Sequence, residues 1–166
     1  ALDSQVFETR LLGKEVLCLS GYEAAELFYD NELFERKKAA PKRLQKSLTG
    51  EGGVQSLDDA AHRNRKAMVL SLMTPANLGK FVASLEREQK RASLQWKGQP
   101  KVCLFDEAQE IYFRASCDWA GVPVKDSEAR RRSEDMGKMV DGLGSMGYRN
   151  YRGRSARKRS EAWMVE

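Results

Sequence analysis

The chain has 166 residues, 41% hydrophobic and 32% charged, with a formal net charge of +5. That length supports one compact domain with a true core, and the composition is a soluble balance rich in charge. No apolar run is long enough to span a bilayer and no signal-peptide pattern opens the chain, which starts on Ala1 and so reads as a cut or processed end.

Val6 to Leu19 reads as two strands joined at Gly13-Lys14. Ser20 offers an N-cap for a helix over Gly21 to Phe34, with Ala24, Ala25, Leu27 and Phe28 inside. Glu35 to Gln55 is a basic connection containing proline and glycine, with a short helix expected at Pro41 to Leu48. Connections of that length are usually functional or disordered. Gly52 to Met73 carries the strongest signal, a glycine-loosened loop running into a helix. Ser56 and Asp59 have the spacing of a capping box, and Asp58 and Asp59 sit where the helix dipole favours anions.

Thr74-Pro75 caps and starts the next helix, which runs to about Trp96 with Leu78, Phe81, Val82, Leu85 and Leu94 as its expected buried face. Lys97 to Pro100 breaks it, and Val102, Leu104 and Phe105 read as a short extended piece. A further helix over Phe105 to Ala120 ends at Gly121-Val122-Pro123. Ser127 to Val140 is again helical. Gly142, Gly144 and Gly147 then mark a bend or a close approach, and Tyr148 to Glu166 is basic and helical in its second half. No internal repeat stands out. The expected fold is mainly α with a small N-terminal β hairpin.

Chemistry concentrates on the helix of the Gly52 to Met73 stretch. At about 100° per residue, His62 (the only histidine), Arg65, Lys66, Val69 and Met73 share one side, while Leu57, Ala61, Met68 and Leu72 form an ordinary packing face. A basic helix face is usually solvated surface. Here the same stripe continues into apolar residues, which suits a greasy ligand edged with carboxylates. A fatty acid and a haem with its two propionates both fit that description. Cys18, Cys103 and Cys117 lack CxxC spacing, which argues against a disulfide framework or a structural zinc site and leaves buried free thiols as the ordinary reading. No local motif supports a Cys–His or Ser–His–Asp site.

The stretches VFETRLLGKEVLCLSGYEAAELFYD, APKRLQKSLTG, GVQSLDDAAHRNRK, SLMTP, VCLFDEAQEI, CDWAGVPV and MVDGLGSMG occur in the order found in the bacterial fatty-acid peroxygenases. From about Val6 to the last residue the chain resembles the amino-terminal part of these enzymes, a branch of the cytochrome P-450 haem-thiolate superfamily. The resemblance implies haem b as cofactor, with long-chain fatty acids hydroxylated or decarboxylated by hydrogen peroxide and no redox partner required. It also implies a bacterial cytoplasmic location.

In the family the substrate carboxylate is held by an arginine on a central helix. The iron is held by a cysteine thiolate in a glycine-rich loop. Neither is present, so residues 1–166 are expected to form a single incomplete domain without catalytic residues or metal ligands, inactive and poorly soluble alone.

Residue by residue, the resemblance places His62 and Lys66 at the haem propionates, with Arg65 as the neighbour if the register slips by one and Arg36 near the haem edge. It places Gln55 over the distal face, and Leu48, Val140 and Leu143 along the acyl channel. Thr49 stands where relatives often carry an aromatic residue.

The runner-up is a non-catalytic basic helical module that binds nucleic acid or a protein partner. Tyr148 to Arg159 interleaves aromatics with arginines as a single strand would require, but no recognised nucleic-acid motif accompanies it.

Overall fold

A computed structural model describes residues 4–11, 13–30, 32–37, 39 and 42–165. Strands β1 (Val6–Leu11) and β2 (Lys14–Leu19) pair antiparallel, with Val6 opposite Leu19 and Leu11 opposite Lys14. Lys14 therefore belongs to the second strand. Gly13 lies in the turn, at a φ of 78° that a side chain rarely adopts, and residue 12 lies outside the described residues. Phe7 opposite Cys18 and Thr9 opposite Val16 make the half-buried face of the ribbon.

Helix α1 (Tyr22–Phe28) lies against β2, shorter than its sequence pattern predicts. Its N-cap is Gly21, not Ser20, and it makes no side-chain cap. At the other end the Asp30 carboxylate accepts the Glu32 N–H at 2.8 Å. That local turn competes with helix continuation. Helix α2 spans Lys42–Gln45, and Pro41, where the sequence pattern starts the helix, lies outside the described residues. Leu48 and Thr49 follow it in a turn, and a 3-10 turn at Val54–Ser56 leads to α3 (Asp59–Ser71).

The expected capping box is not made. Ser56 donates its hydroxyl to the Gly53 carbonyl at 2.8 Å, and the N-cap position belongs to Asp58, whose carboxylate is engaged elsewhere. The expected packing face of α3 is uncovered as well. No residue of this helix is buried, and Met68 and Leu72 are exposed.

The remaining helices are α4 (Pro75–Trp96), α5 (Leu104–Ala120), α6 (Asp126–Gly142) and α7 (Tyr148–Met164), each packing on the next. Thr74 caps α4 by accepting the Asn77 N–H, with Pro75 at the first turn, as read from the sequence. Gly121 ends α5 at a φ of 70°, and the Val122 N–H closes back on the Cys117 carbonyl at 2.8 Å. Leu104 and Phe105 are helical, not extended, and α7 is helical throughout.

The bundle core is built from small side chains. Ala115, Ala129 and Ala156 are fully enclosed, and Phe113, Cys117 and Ala129 form a cluster bordered by Val122, Val124, Met136 and Trp163. The buried line of α4 is Ser84 and Ala92, while the bulkier Leu78, Val82 and Leu94 stay exposed, contrary to the apolar pattern.

At the α6–α7 crossing two glycines meet. A Cβ on Gly153 would lie 2.9 Å from the Lys138 carbonyl oxygen and 3.0 Å from the Gly142 Cα. Here the close approach signalled by Gly142 is realised, while Gly144 and Gly147, both at positive φ, make the bend.

Polar contacts complete the bundle. Trp119 Nε1 donates to the Asn77 carbonyl at 2.9 Å, joining α5 to α4. Arg114 reaches Glu110 at 2.8 Å and Asp126 at 2.6 Å. Glu107 accepts from both Trp96 Nε1 and Arg130, which hold its carboxyl below the usual range. Asp135, 2% exposed, accepts two hydrogen bonds from the Arg159 guanidinium at 2.9 and 2.7 Å. Burial alone would raise that carboxyl, but Arg159 and Lys138 outweigh it and hold it low. No single helix among the described residues is long and apolar enough to cross a membrane.

Candidate functional site

Asp58 organises the open side of the molecule. Its backbone is extended, with φ −120° and ψ 173°, and its carboxylate turns away from its own helix. It accepts the Arg36 N–H at 2.7 Å and the Lys37 N–H at 2.8 Å, so the connection after α1 is clamped to the start of α3. The Arg36 N–H is the chief reason that this carboxyl sits below its usual range, against the effect of burial, helped by the Lys37 N–H and the nearby Arg36 charge. Bonds from N–H groups to a carboxylate are the strong, short class. The Asp58 carbonyl also accepts the His62 N–H at 3.1 Å, so the residue that holds the loop also starts the helical turn carrying the imidazole.

Between these segments lies a cavity of about 550 Å³, within the range of small-molecule sites. Its apolar lining is Phe28, Tyr29, Phe34, Ala39 and Val54. Phe28 packs against both other rings, at 5.4 Å from Phe34 and 5.7 Å from Tyr29 between centroids. Its polar edge is Arg36, Lys66 and the His62 imidazole, with Gln55 as an uncharged amide. Glu35 is the one carboxylate among the lining residues. Gln55 is carried on the 3-10 turn, whose first residue follows Gly53. A Cβ at Gly53 would meet the Thr49 carbonyl oxygen at 2.7 Å, so the turn is seated tightly on the Leu48–Thr49 segment.

Four of the nine site residues named from the sequence are thus brought together: His62, Lys66, Arg36 and Gln55. Arg65 is exposed on α3 and is not among the lining residues, because one position of register carries it past the cavity edge. Leu48 and Thr49 are half-buried behind the 3-10 turn and do not line the cavity. Val140 and Leu143, at 60% and 44% exposure, lie at the carboxyl end of α6 and do not line it either.

The Asp58 clamp and the aromatic floor escaped the sequence reading. Asp58 acts on residues 21 and 22 positions away, which no local motif records. The spacing of Phe28 and Phe34 was visible, but it read as the inside of one continuous helix.

No cysteine lines the cavity. Cys117 is buried, which pushes its thiol up, and Cys18 is half-buried. Cys103 is exposed at the N-cap of α5, against the expectation of a buried thiol. Among the described residues no group of three or more His, Cys, Asp or Glu side chains is placed to hold a metal ion.

No protein-family model matches the chain. Solved structures do. Cytochrome P450SP alpha (CYP152B1), in a complex with (R)-ibuprofen, is 42% identical over 98% of this chain with a TM-score of 0.93. Cytochrome P450EX alpha (CYP152N1) with myristic acid is 44% identical over 97% of the chain, with a TM-score of 0.88. Ligand-free cytochrome P450 OleT is 30% identical over 98%, with a TM-score of 0.93. The chain spans about 40% of the length of the first of these. With that identity along nearly its whole length and the same arrangement of hairpin and helices, the chain belongs to the CYP152 cytochromes P450 and matches the amino-terminal part of their fold.

Proposed function

We propose that residues 1–166 are the amino-terminal part of a haem-dependent peroxygenase, which uses hydrogen peroxide to hydroxylate or decarboxylate long-chain fatty acids. One observation carries this reading. Arg36, Gln55, His62 and Lys66, from three separate segments, meet at one apolar cavity. A planar, greasy cofactor edged by two carboxylates suits a site of that kind, with aromatic and aliphatic walls, an arginine, a lysine and a histidine as donors, and a single carboxylate. When bound, the haem supplies the iron chemistry that oxidises the acyl chain, its cysteine ligand lying outside this chain.

The roles of this chain's own residues follow from their chemistry. Lys66 offers a mobile ammonium with three donors, and Arg36 a planar guanidinium with five. His62, one turn before Lys66, adds an N–H donor at the spacing of neighbouring helix side chains. These groups hold and orient the two propionates. The Asp58 clamp keeps the Arg36 backbone in place while they do so. Gln55, neutral and able to donate and accept, is the polar group available to peroxide or water beside the apolar floor. Leu48, Thr49, Val140 and Leu143 complete the acyl channel once the elements that would cover them are present. P450SP alpha and P450EX alpha were solved with carboxylates on apolar bodies, which supports the same substrate class here.

The test uses the longer protein of which this chain is part. His62→Ala and Lys66→Ala should each lower the haem retained per polypeptide after gel filtration, and Lys66→Ala should do so more than Arg65→Ala. The reverse order would move the grip to Arg65. Wild-type haem content in both His62→Ala and Lys66→Ala, or no peroxide-dependent product from myristate, would sink the reading.

A further inference from the structure

A second cavity lies on another part of the molecule, where the turn after α2 meets α7. It has a volume of about 430 Å³ and is lined by Lys46, Gly50 and Glu51 from the turn and by Arg154, Arg157, Lys158 and Glu161 from α7. Four of these seven residues are cationic and two are anionic, and both anions are already used. Glu51 pairs with Lys46 at 3.5 Å and Glu161 with Arg157 at 2.6 Å. Arg154 and Lys158 have no hydrogen-bond or ion-pair partner among the described residues. They stand four positions apart on one helix face, a like-charge spacing that destabilises a helix.

The surplus is not spread over the molecule. Helix α7 holds six basic residues and one acidic residue, an excess equal to the +5 of the whole chain. Its other arginines are not all equivalent, since Arg159 is turned inward onto Asp135.

The wall of this cleft is fixed in place. Arg157 donates to the Leu48 carbonyl, 109 positions away in sequence, and also to Glu161. Gly50 is at a φ of 81°, and a Cβ there would fall 2.5 Å from Arg157 Nη2. So the turn is built to let a guanidinium lie directly on the backbone, and Arg154 and Lys158 stand beside it with their charges unspent. A preformed concavity of small-molecule size with uncompensated Arg and Lys side chains matches an oxyanion carrying more than one charge.

We infer that the cleft formed by Lys46, Gly50, Arg154, Arg157 and Lys158 is a binding site for a phosphate-bearing ligand, separate from the Arg36–His62–Lys66 cavity and independent of any haem there. Arg154 and Lys158 donate to the phosphate oxygens, Arg157 supports them as a fixed neighbouring charge, and Lys46 closes the opposite side. Free phosphate and a lipid headgroup offer the same chemistry.

Titration with inorganic phosphate, followed by calorimetry, and co-sedimentation with phosphatidylcholine vesicles containing phosphatidic acid distinguish the two sources. Binding of either kind should weaken as salt is raised, and Arg154→Glu with Lys158→Glu should weaken it by about tenfold or more. Both positions are exposed, so the melting temperature should stay near that of the wild type. The milder pair Arg154→Gln with Lys158→Gln should give an intermediate loss. Three results would overturn the inference: no binding to phosphate or to vesicles, equal binding by the charge-reversed protein, or binding confined to a single-stranded oligonucleotide.

Discussion

From α4 to α7 the helices touch through small side chains and crossing ion pairs, whereas α3 buries none of its own residues and is tied to the preceding connection by one carboxylate. The bundle side is closed, with Ala115, Ala129 and Ala156 sealed and with Asp135, Arg114 and Glu107 each given charged partners. The α1–α3 side is open. There Arg36, His62 and Lys66 line an apolar cavity together with Glu35. Charge neutralised inside the fold serves packing, whereas donors that line an apolar hollow are placed where a ligand can reach them. The contrast predicts that substitutions in the bundle act on global stability and those around the cavity act locally.

The largest effect should come from the glycine crossing. Gly153→Val places carbon atoms where the Lys138 carbonyl and Gly142 already lie, so α6 and α7 must separate. Overpacking of that kind costs about 3 kcal/mol, to be read from the urea midpoint of the chain at constant slope. A loss below about 0.5 kcal/mol would mean that the crossing is loose.

Asp135→Asn comes next. It leaves Arg159 facing an amide, and because Arg159 is itself half exposed the cost should be about 2 kcal/mol, below that of a fully enclosed pair. The pH dependence has a definite sign. Asp135 is held below the ordinary aspartate value of 3.8, so its contribution is full above that value and is lost as pH falls through the lower folded value. Melting temperatures followed from neutral pH downward should fall on the acid side in the wild type, and part of that fall should be missing in Asp135→Asn.

A smaller and local effect is expected at the clamp. Asp58→Asn keeps the shape of the side chain but removes the charge that draws in the Arg36 and Lys37 amides. Hydrogen exchange at those two amides should quicken while exchange in α5 and α6 is unchanged. Uniform quickening across the bundle would show that the open side and the closed side are one cooperative unit.

The order of elements was legible in the sequence because it rests on local signals: Gly13 at the hairpin, Thr74-Pro75 before α4, Gly121 after α5. His62 and Lys66 were legible as a pair for the same reason, being one helical turn apart. What failed was whatever depends on distant partners. The apolar stripe of α4 pointed to Leu78, Val82 and Leu94 as core, but α5 packs instead on Ser84 and Ala92, where small side chains let the helix axes come close. Ser56 and Asp59 had the spacing of a capping box, yet the Asp58 carboxylate went to backbone donors more than twenty residues away. A helical wheel put Arg65 beside Lys66, but it could not place the cavity edge that falls between them.

The smallest effect sharpens the comparison most, because its size should depend on how much of the protein is present. Leu70 on α3 is 56% exposed. In the 166-residue chain, Leu70→Lys removes surface that nothing covers, so stability should change by no more than about 0.5 kcal/mol and self-association, measured by analytical ultracentrifugation, should fall. In the longer protein proposed above, elements beyond Glu166 would lie against that face. The same lysine would then be forced into a packed apolar contact and should cost about 2–3 kcal/mol. Equal and small costs in both would mean that α3 keeps this face in solvent in the longer protein as well, and the contrast between the open and the closed side would then not depend on further elements.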